Sequence, residues 1–492
     1  MSEKKNSSSN ENNVLISSNI NDNINFLQNI YSNCEDIIFR KLTIQNVEIY
    51  IIYVNYLVDK LLLTEGVLKN ISEIQELSIE KLKDELPIGR ISLIDNLSQG
   101  IDKIFSGEVL VFMEGNIKAA VINIAEYTVT KETQTEPSIM GNKDAFTNSI
   151  AKNIALLRRY IPNVNLKVHS LTIGRNSKTS INVAYLNNIA NNKIVTEVIN
   201  RLNSIDIDLI LDSTNIAELI EDNPYSPFPA VNVTERIDKV VGNLHEGQIA
   251  ILVDKTPFVL IAPAPFVSFF QVSDDYYNSF YISTLTRWLR YISYFTSIFL
   301  PGFYIAITNY NHELIPIRML ITLSSQRRTL PFPPIVEILL MLVGFELLRE
   351  LGTRLPKTIG STVSLVGALI IGEVAVKAGI VSATVVITAA LTAITSMIIP
   401  SRLLYESVIY CRILCLFFSS IMGIFGLLIS VLFILGHLSS IRSFGIPYTY
   451  PLSPYNKEDI DDILIRAPIW KIKKRPLLYA SRNRLKFRSI RK

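Results

Sequence analysis

The sequence predicts an α/β N-terminal soluble region, built from two duplicated α/β subdomains, followed by an α-helical transmembrane bundle. Three observations carry this expectation. Mean hydropathy is +0.30 over a chain of 492 residues, and the apolar residues are concentrated from Trp288 to Ile441. Two stretches of the more polar N-terminal part repeat one order of elements. The run from Lys471 to Lys492 holds ten Lys/Arg and no Asp or Glu, which suits a cytoplasmic tail beside a membrane.

Residues 1–33 are rich in Asn and Ser, and disorder is expected there because such a segment buries little apolar surface. The first subdomain is expected over 34–143. It opens with two strand-like runs in FRKLTIQNVEIYIIYVN, followed by the helix-like LVDKLLLTEGVLKNI. It closes with a helix, a strand, a Gly-Asn turn and a strand in SLIDNLSQGIDKIFSGEVLVFMEGNIKAAVI. The second, over 144–280, repeats the order. Leu42-Thr43-Ile44 matches Leu171-Thr172-Ile173, and Gly107-Glu108-Val109 matches Gly247-Gln248-Ile249. Alternating apolar residues around tight turns support the hairpins, and the repeat indicates duplication. A helix over 144–160 bridges the two, with Leu156 and Leu157 facing a core and Arg158 and Arg159 facing solvent. The stretch EDNPYSPFPAV, 221–231, reads as an ordered connector stiffened by proline, or else as a partner surface. The aromatics and acids between Pro263 and Ser279 suit an interfacial lead-in to the first span.

The membrane domain is expected over 285–441. Arg287, Trp288 and Arg290 would anchor its first segment at the interface, and Pro301-Gly302 predicts a kink. A loop carrying Arg318, Arg327 and Arg328 follows. The helix over 334–351 carries Glu337, Glu346, Arg349 and Glu350, with Glu346 sharing a face with Arg349 or Glu350. A helical hairpin is expected over 361–380 and 383–400, where Gly360, Gly367, Gly372 and Gly379 allow close approach. Glu373 and Lys377 lie four apart and can partly neutralise each other. The last segment, 407–437, is long enough to cross with tilt, and Arg412 near its start can snorkel.

Charges at bilayer depth cost several kcal/mol, so they face protein or water. Glu337, Glu346, Glu373 and Lys377 are therefore the candidate ion-path or intramembrane polar residues. Two readings of them stand: they line a hydrated path, or they pair between packed helices. The five hydrophobic segments give an odd count. The basic tail and the absence of a signal peptide ask for both ends on the cytoplasmic side, hence an even number of crossings. Making 334–351 re-entrant restores an even count, but it leaves several arginines on the far side, against the positive-inside rule.

No Ser-His-Asp, HExxH, P-loop or GxGxxG pattern occurs in a supporting context, so no enzyme activity, metal or cofactor is expected. Cys34 stands alone, and Cys411 and Cys415 read as soft packing residues on one helix face. The segment 442–492 is read as a basic cytoplasmic C-terminal tail that meets lipid rather than nucleic acid.

Several long strings resemble the A subunit of the GerA-type spore germination receptors: RLNSIDIDLILDSTNIAELIEDNPYSPFPAV, TERIDKVVGNLHEGQIAILVDKTPFVLIAP and PFPPIVEILLMLVGFELLRELGTRLPKTIGSTVSLVGALIIGEVAVKAGIVSA, with the endings LSSIRSFGIPYTYPLSP and DDILIRAPIWKIKKRP. A SpoVAF-like paralogue is similar throughout, whereas EDNPYSPFP resembles the receptor branch more. The sequence departs from the family pattern at Ser382-Ala383, where Ser-Pro is usual, and at Met397, where Phe is common. The resemblance implies a multi-pass protein of the spore inner membrane, with its N-terminal domain and tail on the core side. It implies assembly with a nutrient-binding, multi-span B subunit and a lipoprotein C subunit. It further implies a ring oligomer, such as a pentamer, around a nutrient-gated path that releases monovalent cations. The alternatives are a non-conducting scaffold that transmits a signal, or a SpoVAF-like accessory component.

Overall fold

The computed structural model describes residues 14–74, 77–126, 130–138, 140–328, 330–355, 367, 372–460 and 462–486. The chain forms two compact units. One is α/β and comprises Met1–Glu221, Val231–Pro263 and Lys473–Lys492; the other is helical and comprises Asp222–Ala230 and Ala264–Ile472. These boundaries differ from the sequence division at 221–231 and in the tail.

Residues 14–33 are ordered, which corrects the expectation for them; residues 1–13 lie outside the described residues. Helix α1 (Ile20–Ile30) is capped by the Asn19 side chain and buries Ile20, Ile24 and Leu27. That spacing puts three apolar side chains on one face, enough to dock a helix. Composition averages over all faces and conceals it.

Strands β1 (Ile37–Ile44) and β2 (Val47–Val54) form an antiparallel hairpin. Its turn residues Gln45 and Asn46 both have positive φ, as the strand twist demands of a two-residue turn. Then come α2 (Leu62–Lys69, a π-helix), β3 (Ile91–Ile94), α3 (Leu97–Lys103), β4 (Glu108–Met113) and β5 (Ala119–Asn123). The strand order is β1-β2-β4-β5-β3. Both faces are buried. Ile52, Val54, Leu110 and Phe112 pack with α1 and Phe105; Ile51, Val109 and Val111 pack with Leu63 and Val67 of α2.

The second half repeats this plan. After α4 (Ile150–Tyr160) come β6 (Leu166–Ile173), β7 (Thr179–Leu186), α5 (Asn192–Asn203), α6 (Ser213–Ile220), β8 (Asn232–Thr234), α7 (Ile237–Glu246), β9 (Ile249–Val253) and β10 (Val259–Ala262). Its order, β6-β7-β9-β10-β8, is that of the first sheet element for element. The matched Gly107 and Gly247 both have positive φ, 82° and 98°, where each ends a helical segment before a strand. A Cβ there would also stand 2.6 Å from Ala125 Cβ and 2.9 Å from the Tyr479 backbone. Tyr479 belongs to the basic tail. Residues 473–486 fold with the α/β unit: Ala480 enters the second core, Arg475 Nε donates to His245 O at 2.6 Å, and Lys486 pairs with Glu246.

Arg158 corrects another expectation. It is fully buried, and its guanidinium donates to both Asp36 oxygens, at 2.7 and 2.8 Å, over the Phe105 ring. Arg159 is exposed, as expected. Asp212 caps α6 in a reciprocal capping box with Asn215 and accepts from Thr256 Oγ1 at 2.6 Å. Partial burial raises its carboxyl pKa, but hydrogen bonds from Thr214, Thr256 and the backbone outweigh this and hold it below the usual value. A depressed folded-state pKa stabilises the fold above the unfolded carboxyl pKa, and that stability is lost as pH falls through the lower value. Asp212→Ala should cost about 1–2 kcal/mol in urea unfolding at neutral pH. The gap to the parent should narrow below about pH 4.

In the helical unit, Phe266, Phe269 and Phe270 are buried with Tyr291, Tyr294 and Tyr448, so the lead-in is core. The helices are α8 (Phe280–Asn309), α9 (Ile317–Arg327), α10 (Pro334–Arg354), α11 (Ala383–Met397) and α12 (Arg402–Ser440), with helical residues at 372–377. The segment expected as a loop at Arg318–Arg327 is helix α9, which buries Leu323. Most of the helix expected over 361–380, with Gly360, lies outside the described residues. Arg287 is buried on Asp275 and Asp462, at 3.1 and 3.0 Å, and Arg290 pairs with Asp275 at 2.8 Å. The two arginines are thus held by carboxylates, while Trp288 is exposed. The connector 222–230 is ordered: Asp222 accepts from Phe444 N at 2.6 Å, and Phe228 is buried against Tyr448 and His437.

Among the described residues, two helices are long and apolar enough to cross a membrane, Phe280–Asn309 and Arg402–Ser440. The second is not one rod, contrary to the single tilted segment expected at 407–437. Gly423 leaves helical geometry at φ 62°, ψ −137°. Beyond it the chain folds back. Ser430 Oγ lies 3.3 Å from Cys415 Sγ, and the Phe418 and Phe433 rings stack at 5.7 Å. In an unbroken helix residues fifteen apart are separated by about 22 Å.

Candidate functional site: the charged groups of the helical unit

The structure holds each of the three candidate carboxylates in a different way. Glu337 lies in the first turn of α10, follows Pro334 at the helix start and is 1% exposed. Its Oε2 accepts from Ser382 N at 2.8 Å. Ser382 is the N-cap of α11, its hydroxyl accepting from Val385 N. The carboxylate therefore completes the cap of a neighbouring helix, where free N–H groups and the positive end of the dipole favour negative charge. Tyr304 and Thr384 share a hydroxyl hydrogen bond of 2.9 Å beside it.

Glu346 sits further along α10. One oxygen accepts from Arg349, one turn on; the other accepts from Tyr405 OH at 2.7 Å. The Arg349 guanidinium lies 3.8 Å over the Tyr405 ring, a close cation–π stack. The expected Glu346–Arg349 face is thus formed, and Glu350 instead pairs with Arg354 at 2.7 Å.

Glu373 and Lys377 pair at 2.5 Å, as their spacing predicted, but their side chains are 56% and 72% exposed. The adjacent Val374 is exposed too. The four candidates therefore do not converge among the described residues: Glu337 serves α11, Glu346 serves α12, and the Glu373–Lys377 pair lies on the surface of the unit.

The expectation that Arg412 snorkels is corrected by the structure, and its partner is one the sequence reading did not name. Arg412 is buried, and its Nε donates to Ser297 O at 2.8 Å. Ser297 precedes Pro301 by four residues, and proline lacks the N–H that would bond that carbonyl. The sequence held this signal: a proline inside an apolar helix leaves a carbonyl that needs a donor from elsewhere. Cys411 and Cys415 are buried in the core beside Leu404, Val408 and Leu438. Among the described residues no group of His, Cys, Asp and Glu is placed to hold a metal.

The sequence profile described as Bacillus/Clostridium GerA spore germination protein matches residues 25–478. Spore germination protein KA of Bacillus subtilis (strain 168) is 40% identical over 475 residues, which cover 94% of this chain and 87% of that protein. The membrane protein YfkQ of the same organism is 38% identical, covering 95% of this chain and 93% of its own length. Among solved structures, the N-terminal domain of the A subunit of the Bacillus megaterium spore germinant receptor GerK3 is 33% identical. It covers 52% of this chain and 98% of that domain, with a TM-score of 0.40. With the match running through both the α/β and the helical unit, this chain belongs to the GerA family of spore germination proteins.

Proposed function

We propose that this chain is the A subunit of a nutrient germinant receptor in the spore inner membrane. Copies of it form a ring, such as a pentamer, around a hydrated path that passes monovalent cations when nutrient binds. It works with a nutrient-binding B subunit and a lipoprotein C subunit, and its α/β unit and C-terminus lie on the core side. The observation that carries this reading is the Glu373–Lys377 pair, exposed beside Val374 in an apolar unit of a GerA-family chain. Charged side chains facing lipid are costly, so this surface is covered by another copy or by water. The fold-back at Gly423 supports both ends on one side. It divides the last apolar segment of the sequence into two and turns the count of five into an even one.

Removing one carboxylate near a cation path alters the local potential by about 1 kcal/mol for charges about 4 Å apart in water, roughly fivefold in rate. Glu373→Gln should therefore change the rate of cation release after nutrient addition by about that factor, at unchanged protein level. Glu337→Gln keeps an acceptor for Ser382 N and should do the same. Unaltered release in both variants removes these residues from the path. A second reading, a scaffold that conducts nothing, is favoured by the inward contacts of Glu337 and Glu346. Purified full-length protein in liposomes separates the two, since a scaffold carries no ion flux with or without its partners.

A further inference from the structure

The facing helices α8 and α12 are both interrupted, and each interruption is closed by a side chain of the other. In α8, Pro301 deprives Ser297 O of its helical donor, and Arg412 Nε of α12 replaces it at 2.8 Å. In α12, Gly423 breaks the helix, so Ile424 N starts a new one; Asn311 Oδ1, just past the end of α8, accepts from it at 3.4 Å. Tyr310 OH donates to Ser420 O on the other side of the break. Between these closures the helices are in backbone contact: a Cβ on Gly302 would stand 3.2 Å from Cys415 O and 2.9 Å from Ser419 Oγ.

The two closures differ in one respect. Asn311 and Tyr310 are neutral, whereas Arg412 carries a charge that its own partner, a carbonyl, does not neutralise. Arg412 is 7% exposed, and its Nη2 has no hydrogen-bond partner among the described residues. Tyr405, two turns before Arg412 on the same face of α12, donates to Glu346 Oε2 at 2.7 Å, which places that carboxylate along the face that carries Arg412. Glu346 serves Tyr405 and Arg349, and Arg412 is not bonded to it in this structure. A buried guanidinium gains more from a carboxylate than from a carbonyl. The carbonyl holds it here because Pro301 leaves that carbonyl nothing else.

We propose that Arg412 is the latch of a hinge at Pro301: bonded to Ser297 O it keeps α8 closed against α12, and transferred to the Glu346 carboxylate it frees the break to bend. Arg412 is thus a positioning residue that couples α10 to the break in α8. The proposal deepens the gated-path reading and rests on it for its physiological meaning, but its structural content can be tested separately.

Cys411 and Cys415 lie on the buried side of α12 and serve as native reporters; Cys34, in the α/β unit, is removed as Cys34→Ser. Full-length protein in lipid nanodiscs is exposed to N-ethylmaleimide, and labelling of Cys415 is followed by mass spectrometry. Arg412→Met should raise the labelling rate about tenfold, the size expected for losing a hydrogen bond to a charged group. Pro301→Ala restores a backbone N–H to Ser297 O. In that background Arg412→Met should change the rate by no more than about twofold, because the two substitutions act on one carbonyl. A purely space-filling role for Arg412 predicts the same rise in both backgrounds, and that result would overturn the latch. So would an unchanged rate in Arg412→Met.

Should Arg412→Met fail to fold, Arg412→Lys and Glu346→Gln take its place. Lys retains a donor but loses the fork, and should fall between parent and Met; Glu346→Gln removes the second seat and should slow labelling. Parental rates in both variants would also sink the proposal. Cation flux through the parent protein and its native partners, measured alongside in vesicles, tells the two failures apart. Absent flux with the expected labelling pattern removes the channel reading and leaves the hinge. Normal flux with uniform labelling removes the hinge alone.

Discussion

Substituting Arg158 with Ala is expected to destabilise the α/β unit by about 3–5 kcal/mol, the range for removing one partner of a buried ion pair. Arg158 belongs to α4, where the second half begins, and Asp36 lies just before β1 in the first half. Both side chains are buried, 0% and 1% exposed, and the guanidinium also donates to Asn163 O at 3.2 Å. Truncation strands the Asp36 carboxylate, 1% exposed, without its counter-charge, and an unpaired buried charge is poorly tolerated. The pair also locates the two duplicated halves relative to each other, next to the backbone bond from Glu35 N to Val168 O at 3.2 Å. Arg158→Met combined with Asp36→Leu should recover most of the loss, because an apolar pair of similar volume leaves no charge unpaired. Urea unfolding followed by the fluorescence of this unit's tyrosines, or proteolytic nicking between the halves, reads both effects. A single substitution costing less than about 1 kcal/mol, the range of an exposed pair, would show that the ion pair is solvated.

The second large effect concerns the turn in α12. At Gly426 a Cβ would lie 2.0 Å from Phe418 O, and at Gly423 it would occupy a positive-φ conformation against Tyr310 Cβ at 2.8 Å. Neither site can yield without moving backbone. Gly426→Ala is expected to cost more than about 4 kcal/mol, in the exceptional class of single substitutions, and to reduce the protein recovered from membranes severely. Gly436→Ala, where nothing lies within 4 Å of the added carbon, is the control and should be neutral. The turn has a direct chemical test. Ser430→Cys places a second thiol opposite Cys415, where the present Oγ–Sγ distance is 3.3 Å. Mild oxidation should close an intrachain disulfide. A straight helix, with these positions about 22 Å apart, allows only intermolecular crosslinks, visible as dimers.

How much of this was legible beforehand differs from element to element. The hairpins of both sheets were, because strand alternation and turn residues are local properties of the chain. The duplication was too, since Gly107 and Gly247 recur at the same place in the plan, each with the positive φ that glycine permits. The Glu346–Arg349 and Glu373–Lys377 pairs followed from helical spacing alone. Helix α1 was hidden by its polar composition, although Ile20, Ile24 and Leu27 already marked its buried face.

Other features depend on what the chain meets far away in sequence. Arg158 looked like the solvated neighbour of Arg159 until Asp36, 122 residues distant, was brought beneath it. Gly423 resembled any glycine of an apolar helix, since a break there is stabilised by Tyr310 and Asn311 from α8. Among the charged residues of the helical unit, their presence in an apolar stretch was plain, whereas their partners were not. Glu337 serves the cap of α11 and Arg412 serves the carbonyl that Pro301 leaves open.

The amino-acid sequence by itself determined the family, the two-part architecture and the doubled α/β plan, because periodicity, turn chemistry and bulk hydropathy are written within a few residues of where they act. Only the tertiary structure decided which charges are buried and what neutralises them, that the last apolar segment turns back on itself, and that the basic tail joins the α/β unit. Those outcomes depend on donors and acceptors contributed by distant segments, and a buried polar group takes whichever partner the packed chain places within hydrogen-bond distance.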